Sequence, residues 1–326
     1  SFTMRQSQEI IERINQIRNH VWKKIDLTEI TMDIDSTVKI LYGNQEGGEK
    51  GYNPTARKKK SYHPLLAFNS TTKELVLGHL RSGDCYTGNG IVEFMREALS
   101  SLSKKINKVF FRADSGFFNG DLFDFIEEQK EIDCTYLVKV KFRGLKEMLI
   151  NQEWKETEHS KNISLTEFTY QCSTWSKPRR FVGIRTKIKQ KKCAPQLFDE
   201  SEIPVYQYAC FVSNLDLEPI NIYKLYKKRA ECENWIEEMK NQFYACKILT
   251  RNFWANDALF NLSALAYNII NWLGFLTESR CWREEFNTFR FGFIKVAGRL
   301  VRTGRKLILK LQKGYVYQND GKIFIL

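Results

Sequence analysis

The sequence predicts an α/β fold in which a mixed sheet is flanked by helices. Alternating polar and apolar residues, as in residues 30–43, indicate strands. Segments with apolar residues every three or four positions, as in residues 4–25, indicate helices, and the two kinds of segment follow one another along the chain. Hydrophobic residues make up 43% of the 326 residues, which is enough for a large core and more than one domain.

The individual elements follow from the same patterns. After the helix over 4–25, we expect strands and helices to alternate up to residue 141. Predicted strands cover 30–43, 62–70, 74–83, 108–117 and 135–141, and predicted helices cover 89–102 and 121–129.

Residues 142–220 differ from their surroundings, because short β-like pieces alternate there with polar turns. We interpret them as a β-rich insertion between two parts of one core, residues 26–141 and 221–278. Residues 279–326 form a basic C-terminal segment with helical spacing. The order of strands and helices, closed by a late helix, is that of an RNase H-like core.

The net charge of +13 favours an anionic partner, either nucleic acid or an acidic membrane. No uninterrupted apolar run approaches the length of about 20 residues that a membrane span needs, and the first residues do not resemble a signal peptide. We therefore expect a cytoplasmic protein without a membrane partner. The 8 cysteines include no CxxC pair, so zinc-ligand spacing is absent.

One segment combines several groups that suit phosphate chemistry. Tyr226, Arg229, Glu233 and Lys240 lie in YKKRAECENWIEEMK, which has no Pro or Gly and is predicted to be a single helix. At about 100° of rotation per residue, the last three lie within roughly 60° of Tyr226. A phenol, two cations and a carboxylate on one face indicate phosphodiester chemistry.

Two further acids lie on predicted strands, Asp35 in MDIDST and Asp114 at the end of VFFRAD. A single acid of this kind is usually a turn former or a helix cap, and a single helical Glu such as Glu233 is usually solvated. Together the three could converge at one end of the sheet and bind two Mg²⁺ ions, with Mn²⁺ as a substitute.

The motifs MDIDST, QEG, KGYNP, YHPLLAF and RADSGF, with the spacing Y-x2-R-x3-E-x6-K, resemble DDE transposases of bacterial insertion sequences. The branch with the YREK signature, and within it the group numbered thirteen-eighty, is the most similar. The resemblance extends from about residue 25 to the end. It implies an RNase H-like fold with a β-rich insertion.

The resemblance also implies roles for residues. Asp35, Asp114 and Glu233 become the metal-binding catalytic triad, and Tyr226, Arg229 and Lys240 become contacts to phosphates at the DNA ends. It implies a homodimer on paired ends of double-stranded DNA, with hairpins at those ends and a base flipped onto an aromatic residue. Trp175 is the candidate for that aromatic, and the alternative is that Trp175 is an ordinary aromatic of a strand core. Residues 1–25 can then be interpreted as the remnant of an end-binding region in an N-terminally shortened copy.

Basic residues occur in three groups that we interpret as DNA contacts. One contains Lys58 and Lys59, the second contains Arg179 and Arg180, and the third contains Arg299 and Arg302. Arg299, Arg302, Lys306 and Lys310 recur at three- or four-residue steps, which predicts one basic helix face.

Two other functions compete with DNA cleavage and joining. Asp33-Ile34-Asp35-Ser36-Thr37 resembles the nucleophile strand of haloacid-dehalogenase phosphatases, in which Asp33 would form an aspartyl-phosphate and Asp35 would act as acid and base. The chain could also be a DNA-binding relic that has lost its chemistry. Trapping of a phosphorylated Asp33 would favour the first, and binding without nicking would favour the second.

Overall fold

The fold is described by a computed structural model that covers residues 2–51, 53, 56–157, 160–188, 205–245, 247–276, 285–304 and 306–312. The strands are β1 (Glu29–Ser36), β2 (Lys39–Ile40), β3 (Glu49–Lys50), β4 (Lys60–Tyr62), β5 (Leu65–Asn69), β6 (Glu74–His79), β7 (Lys108–Ala113), β8 (Asp133–Lys139), β9 (Lys155–Thr157), β10 (Ser160–Tyr170), β11 (Arg179–Ile188), β12 (Val205–Ser213), β13 (Gly298–Thr303) and β14 (Lys306–Leu311). The helices are α1 (Met4–Lys24), α2 (Ile91–Ser100), α3 (Gly120–Glu127), α4 (Leu145–Ile150), α5 (Pro219–Lys227), α6 (Ala230–Gln242), α7 (Phe253–Leu276) and α8 (Phe286–Phe289).

A nine-stranded mixed sheet forms the centre of the molecule, in the order β6-β5-β1-β7-β8-β12-β11-β10-β9. Strand β5 is antiparallel to β1 and β6, whereas β7 is parallel to β1, and β8 is parallel to β7. This order and these directions are those expected of an RNase H-like core. The predicted α/β fold class is confirmed.

Helices cover both faces of the sheet. On one face, α2 and α3 contribute Phe94 and Phe123 to a large cluster with Met32 and Phe111 of the central strands. On the other face, α6 and α7 pack on β5, and α5 packs near β8, β11 and β12. The central strands β1 and β7 place Ile30, Met32, Val109 and Phe111 in this core.

The strands of residues 142–220 join this same sheet. Strand β12 pairs with β8 in the antiparallel direction, with Phe211 opposite Lys139, and β11, β10 and β9 follow outward. The β-rich segment is therefore continuous with the central strands through β8.

Helix α1 is integrated into the core. A capping box between Thr3 and Gln6 begins it, and its Ser7 hydroxyl donates a hydrogen bond to Asp257 of α7. The indole of Trp22 donates to Glu74 of β6 at 2.6 Å. These contacts fasten α1 to α7 and to the edge strand β6.

Helix α7 is, by length and mean composition, apolar enough to cross a membrane, although Asn and Asp residues interrupt its apolar run. In the fold it lies against β6 and α1. The Asn268 amide bonds both the N–H and the C=O of Leu75, each at 2.8 Å, and Asp257 accepts from the Leu80 N–H at 3.0 Å. These polar groups satisfy the free edge of the sheet, so α7 serves as a core helix here.

The prediction of a basic helix face over residues 299–310 is wrong, because this part of the chain contributes to the two strands of the hairpin β13–β14. Val301, Thr303 and Ile308 are β-branched residues, which favour strands over helices. Gly304, at φ +61°, makes the turn that reverses the chain. Arg299 and Lys310 are cross-strand partners.

Candidate active site

Asp35 and Asp114 lie at the same edge of the central sheet. Asp35 is the penultimate residue of β1, and Asp114 follows β7 directly. The two strands are parallel, with Ile34 opposite Ala113, so both acids emerge where the strands end. Asp114 also caps the short turn that follows it, since its carboxylate accepts the Gly116 N–H at 2.8 Å.

The segment that carries Tyr226, Arg229, Glu233 and Lys240 is two helices, which corrects the prediction of a single one. Tyr226 lies near the end of α5, Arg229 precedes α6, and the other two belong to α6. At the junction, the Arg229 N–H bonds the Tyr226 carbonyl at 3.0 Å, a three-residue step in place of four. The junction is tight enough that all four residues still lie near one side of the sheet edge.

Arg229 connects this junction to β1. Its guanidinium lies 2.9 Å from the Asp35 carboxylate and donates to the Ile34 carbonyl at 3.3 Å. The Arg229 side chain is only 6% exposed, and its Nε has no hydrogen-bond partner among the described residues. Arg229 is thus a buried cation whose hydrogen-bonding capacity is only partly used.

The pKa of Asp35 is raised to about 6, chiefly because burial disfavours the charged carboxylate. Arg229 opposes this rise, whereas the charges of Asp114 and Glu233 add to it. The three acids therefore act on one another electrostatically. The arrangement concentrates negative charge at one place and favours a cation there.

Tyr226 and Lys240 lie beside these acids. The Tyr226 ring packs on Phe211 with centroids 4.4 Å apart, and burial raises its pKa to about 12, so the phenol stays protonated. The Lys240 ammonium donates to the Thr37 hydroxyl at 3.0 Å, just beyond β1. An open pocket of about 470 Å³ is lined by Asp114, Tyr226, Arg229 and Glu233, among others.

The three acids are not closed into a ligand shell. Within the part of the chain that the structure describes, no group of three or more His, Cys, Asp or Glu side chains could hold one metal ion. Asp35 is instead paired with Arg229, and Glu233 is exposed at the pocket rim. The residue types suit Mg²⁺, because hard cations prefer carboxylate oxygens, but binding would require these side chains to draw together.

A buried ion pair behind the site was not anticipated from the sequence. Asp33 is fully buried, and its two carboxylate oxygens accept from Arg112 Nε and Nη2, both at 2.7 Å. Arg112 also donates to the Leu225 carbonyl at 2.9 Å, next to Tyr226. The signal in the sequence was an Asp and an Arg on neighbouring apolar strands, which the register places opposite each other. With both oxygens occupied and no exposed surface, Asp33 is poorly placed to act as a phosphate-accepting nucleophile.

Several of the expected DNA contacts lie elsewhere. Trp175 is 7% exposed and packs against Phe118, Phe123 and Phe181, which does not fit a platform for a flipped base. Arg179 is buried between Asp124 and Glu127, so its charge is neutralised within the protein.

The remaining basic candidates are more accessible. Lys58 and Lys59 are exposed, and the Lys59 ammonium lies over the Tyr42 ring at 5.3 Å. Arg180 is partly exposed but pairs with Glu167. Arg299 and Arg302 are exposed on the hairpin β13–β14. Lys58 and Lys59 in the loop before β4, and Arg299 and Arg302 in the hairpin β13–β14, are thus exposed positive charges that a phosphate backbone could contact.

Comparison with known proteins decides the family. The sequence matches the family described as transposase DDE domain group 1 over residues 2–322. The chain belongs to this family of DDE transposase domains. No match was found among curated proteins.

Solved structures of transposases are also similar to this DDE transposase domain. The piggyBac transposase synaptic complex with hairpin DNA is 15% identical, with a TM-score of 0.40, over 79% of this chain and 54% of that one. The Mos1 transposase paired-end complex with the left transposon end is 13% identical, with a TM-score of 0.23, over 39% and 41%. The Mos1 mariner paired-end complex with Mn is 13% identical, with a TM-score of 0.23, over 41% and 43%. The domain spans about half the length of the piggyBac chain that it matches.

Proposed function

We propose that this DDE transposase domain cleaves phosphodiester bonds at the ends of a bacterial insertion sequence and joins the freed 3′ end to target DNA. The observation that carries the proposal is the pocket in which Asp114 and Glu233 adjoin Arg229 and Tyr226, with Asp35 held against Arg229. Acids, a buried cation and a protonated phenol around one opening suit a phosphate substrate.

Asp35, Asp114 and Glu233 are the residues that would hold divalent metal. Mg²⁺ or Mn²⁺, two ions in the proposed site, would activate the attacking oxygen and stabilise the leaving one. Burial, and to a smaller extent the charges of Asp114 and Glu233, raise the pKa of Asp35, and a bound divalent cation would oppose both effects.

Arg229 provides the positive charge that Asp35 requires while no DNA is bound. A phosphate oxygen of the DNA would compete with Asp35 for the guanidinium, since both are anionic acceptors. Transfer of Arg229 to the phosphate would leave Asp35 available as a ligand. Lys240 and the protonated Tyr226 are placed to donate to further phosphate oxygens. DNA binding and metal binding would then be coupled.

The wider assembly follows from the resemblance set out above. We place the chain in the thirteen-eighty group because of its YREK spacing. The substrates are double-stranded insertion-sequence ends and target DNA, paired by a homodimer, with hairpins as the intermediate at the cleaved ends. The basic surface of Lys58, Lys59 and the hairpin β13–β14 supports binding to duplex DNA.

The test is a nicking assay on duplex DNA with and without Mg²⁺. We expect Asp35→Asn, Asp114→Asn and Glu233→Gln each to lower the nicking rate by at least about a hundredfold, because each removes a charged metal ligand. DNA affinity should change little. Glu231→Gln is the matched control, since this exposed acid lies on α6 two residues before Glu233. Full nicking by any of the three variants would refute the assignment.

A further inference from the structure

The loop between β6 and α2 lies against both strands that carry acids. The Thr87 hydroxyl is 3.4 Å from that of Ser36, the neighbour of Asp35. A Cβ placed on Gly116 would lie 2.7 Å from the Thr87 methyl and 3.1 Å from a carboxylate oxygen of Asp114. Residue 87 is therefore wedged between the ends of β1 and β7, directly beside the proposed site.

Hydrogen bonds to two buried or half-buried side chains fix the shape of this loop. Arg81 donates to the carbonyls of His63, Thr87 and Asn89 at 3.0, 3.3 and 2.8 Å. The ring of His63 joins the Cys85 carbonyl at 2.7 Å to the Ser36 hydroxyl at 3.0 Å. Burial lowers the pKa of His63, so we assign the neutral ring, with Nδ1–H donating to Cys85 and Nε2 accepting from Ser36.

The start of the loop is equally constrained. A Cβ on Gly83 would lie 2.1 Å from the Ser61 carbonyl oxygen and 2.3 Å from that of Glu49. The loop backbone thus packs directly on β3 and β4, where only glycine fits. Together with the His63 and Arg81 contacts, this makes the loop a rigid part of the site.

Tyr86 is the residue that this rigid loop presents to solvent. It lies between Cys85, which is bonded to His63, and Thr87, which contacts both strand ends, yet 72% of its surface is exposed. Tyr42 and Tyr244 are also exposed, at 84% and 62%, but among the described residues no comparable set of bonds ties their segments to Asp35 and Asp114. If Asp35 and Asp114 bind at the DNA phosphate that is cut, the ring of Tyr86 beside them is close to the base next to that phosphate.

We propose that Tyr86 stacks on a nucleobase of the bound DNA strand, next to the phosphate that is cut. The inference rests on the proposed function and adds to it a base contact that the buried Trp175 does not supply. Stacking of this kind depends little on the DNA sequence, because every base has a π face. The phenol hydroxyl is not needed, so the ring alone should decide the effect.

The test compares Tyr86→Leu, which removes the ring but keeps an apolar side chain, with Tyr86→Phe, which keeps the ring. Duplexes that carry 2-aminopurine at successive positions from one end are bound without metal, and affinity and fluorescence quenching are measured. Tyr86→Leu should bind about tenfold more weakly, from the usual worth of one base stack, and should lose quenching at one or two adjacent positions. Tyr86→Phe should match the parent. Tyr244→Ala is the control for loss of an exposed ring.

Base stacking by Tyr86 and cleavage of DNA are tested separately by these measurements. Equal affinity and quenching in Tyr86→Leu and the parent would overturn the stacking contact, even if the parent nicks DNA with Mg²⁺. Quenching that depends on the ring supports the contact, even if the parent proves unable to nick. Equal losses in Tyr86→Leu and Tyr86→Phe would also overturn it, because the hydroxyl rather than the ring would then be responsible.

Discussion

Two acids on β1, two residues apart, differ entirely in their surroundings. Asp33 is fully buried and paired with Arg112, whereas Asp35 is partly exposed and pairs with Arg229. The alternation of a strand predicts that both acids share a face, but only the packed fold shows which arginine meets each. Sequence alone could nominate Asp35 from its motif, and it could not exclude Asp33.

The Asp33–Arg112 pair is expected to stabilise the fold, and substitutions can separate the effect of its charges from the effect of its packing. Arg112→Met is expected to destabilise the fold by about 3–5 kcal/mol, because it leaves the Asp33 charge buried without a partner. The double variant Asp33→Leu with Arg112→Met should recover most of that loss. Urea unfolding measures both. If single and double variants are equally unstable, packing and not charge is the cause.

Glu74 should make stability depend on pH. It is fully buried against Trp22 and Thr72, and burial raises its pKa above the usual 4.5. Because the folded state holds this proton more tightly than the unfolded state, stability should fall as the pH rises from about 4.5 through the raised value. Glu74→Gln should remove that part of the dependence. A difference in unfolding free energy between parent and variant that stays constant from acid to neutral pH would contradict the argument.

At the scale of elements, local patterns predicted the central strands well and the helix boundaries less well. Strands β5, β6 and β7 and helix α2 fall within the expected segments, whereas β1, β8 and α3 begin one or two residues before them. The junction at Arg229 was missed because its residues keep helical dihedrals and only the hydrogen-bond step changes. For Trp175 the sequence could not decide between a core aromatic and a base platform, because burial depends on partners such as Phe118 that lie far away in the sequence.

The hairpin β13–β14 offers a prediction about DNA binding. Arg299 and Lys310 are opposite each other on one face. Changing both to Gln should weaken binding and lower the slope of log affinity against log salt by about two units, roughly one for each lost phosphate contact. The control changes the exposed Lys104 and Lys108, which lie near the start of β7, away from Asp114. An unchanged slope in the hairpin variant would remove it from the interface.

At the scale of the whole molecule, the sheet order brings together residues that are distant in sequence. Asp35 and Asp114 lie at one edge of the sheet because β1 and β7 are parallel neighbours, and α6 places Glu233 at the same pocket as Asp114. The motifs and the family resemblance predict a shared metal site for these acids, which stays a prediction. The motifs and the resemblance could not predict that Arg229 would form an ion pair with Asp35, because such a pair depends on side-chain positions that no local pattern specifies.

The most direct test of the account is the position of Mn²⁺ in a crystal of the domain bound to DNA. We expect anomalous peaks for two ions that are bound by carboxylate oxygens of Asp35, Asp114 and Glu233. Arg229 should then contact a DNA phosphate instead of Asp35. A peak bound by other residues, with Asp35 still paired to Arg229 in the presence of DNA and metal, would contradict it.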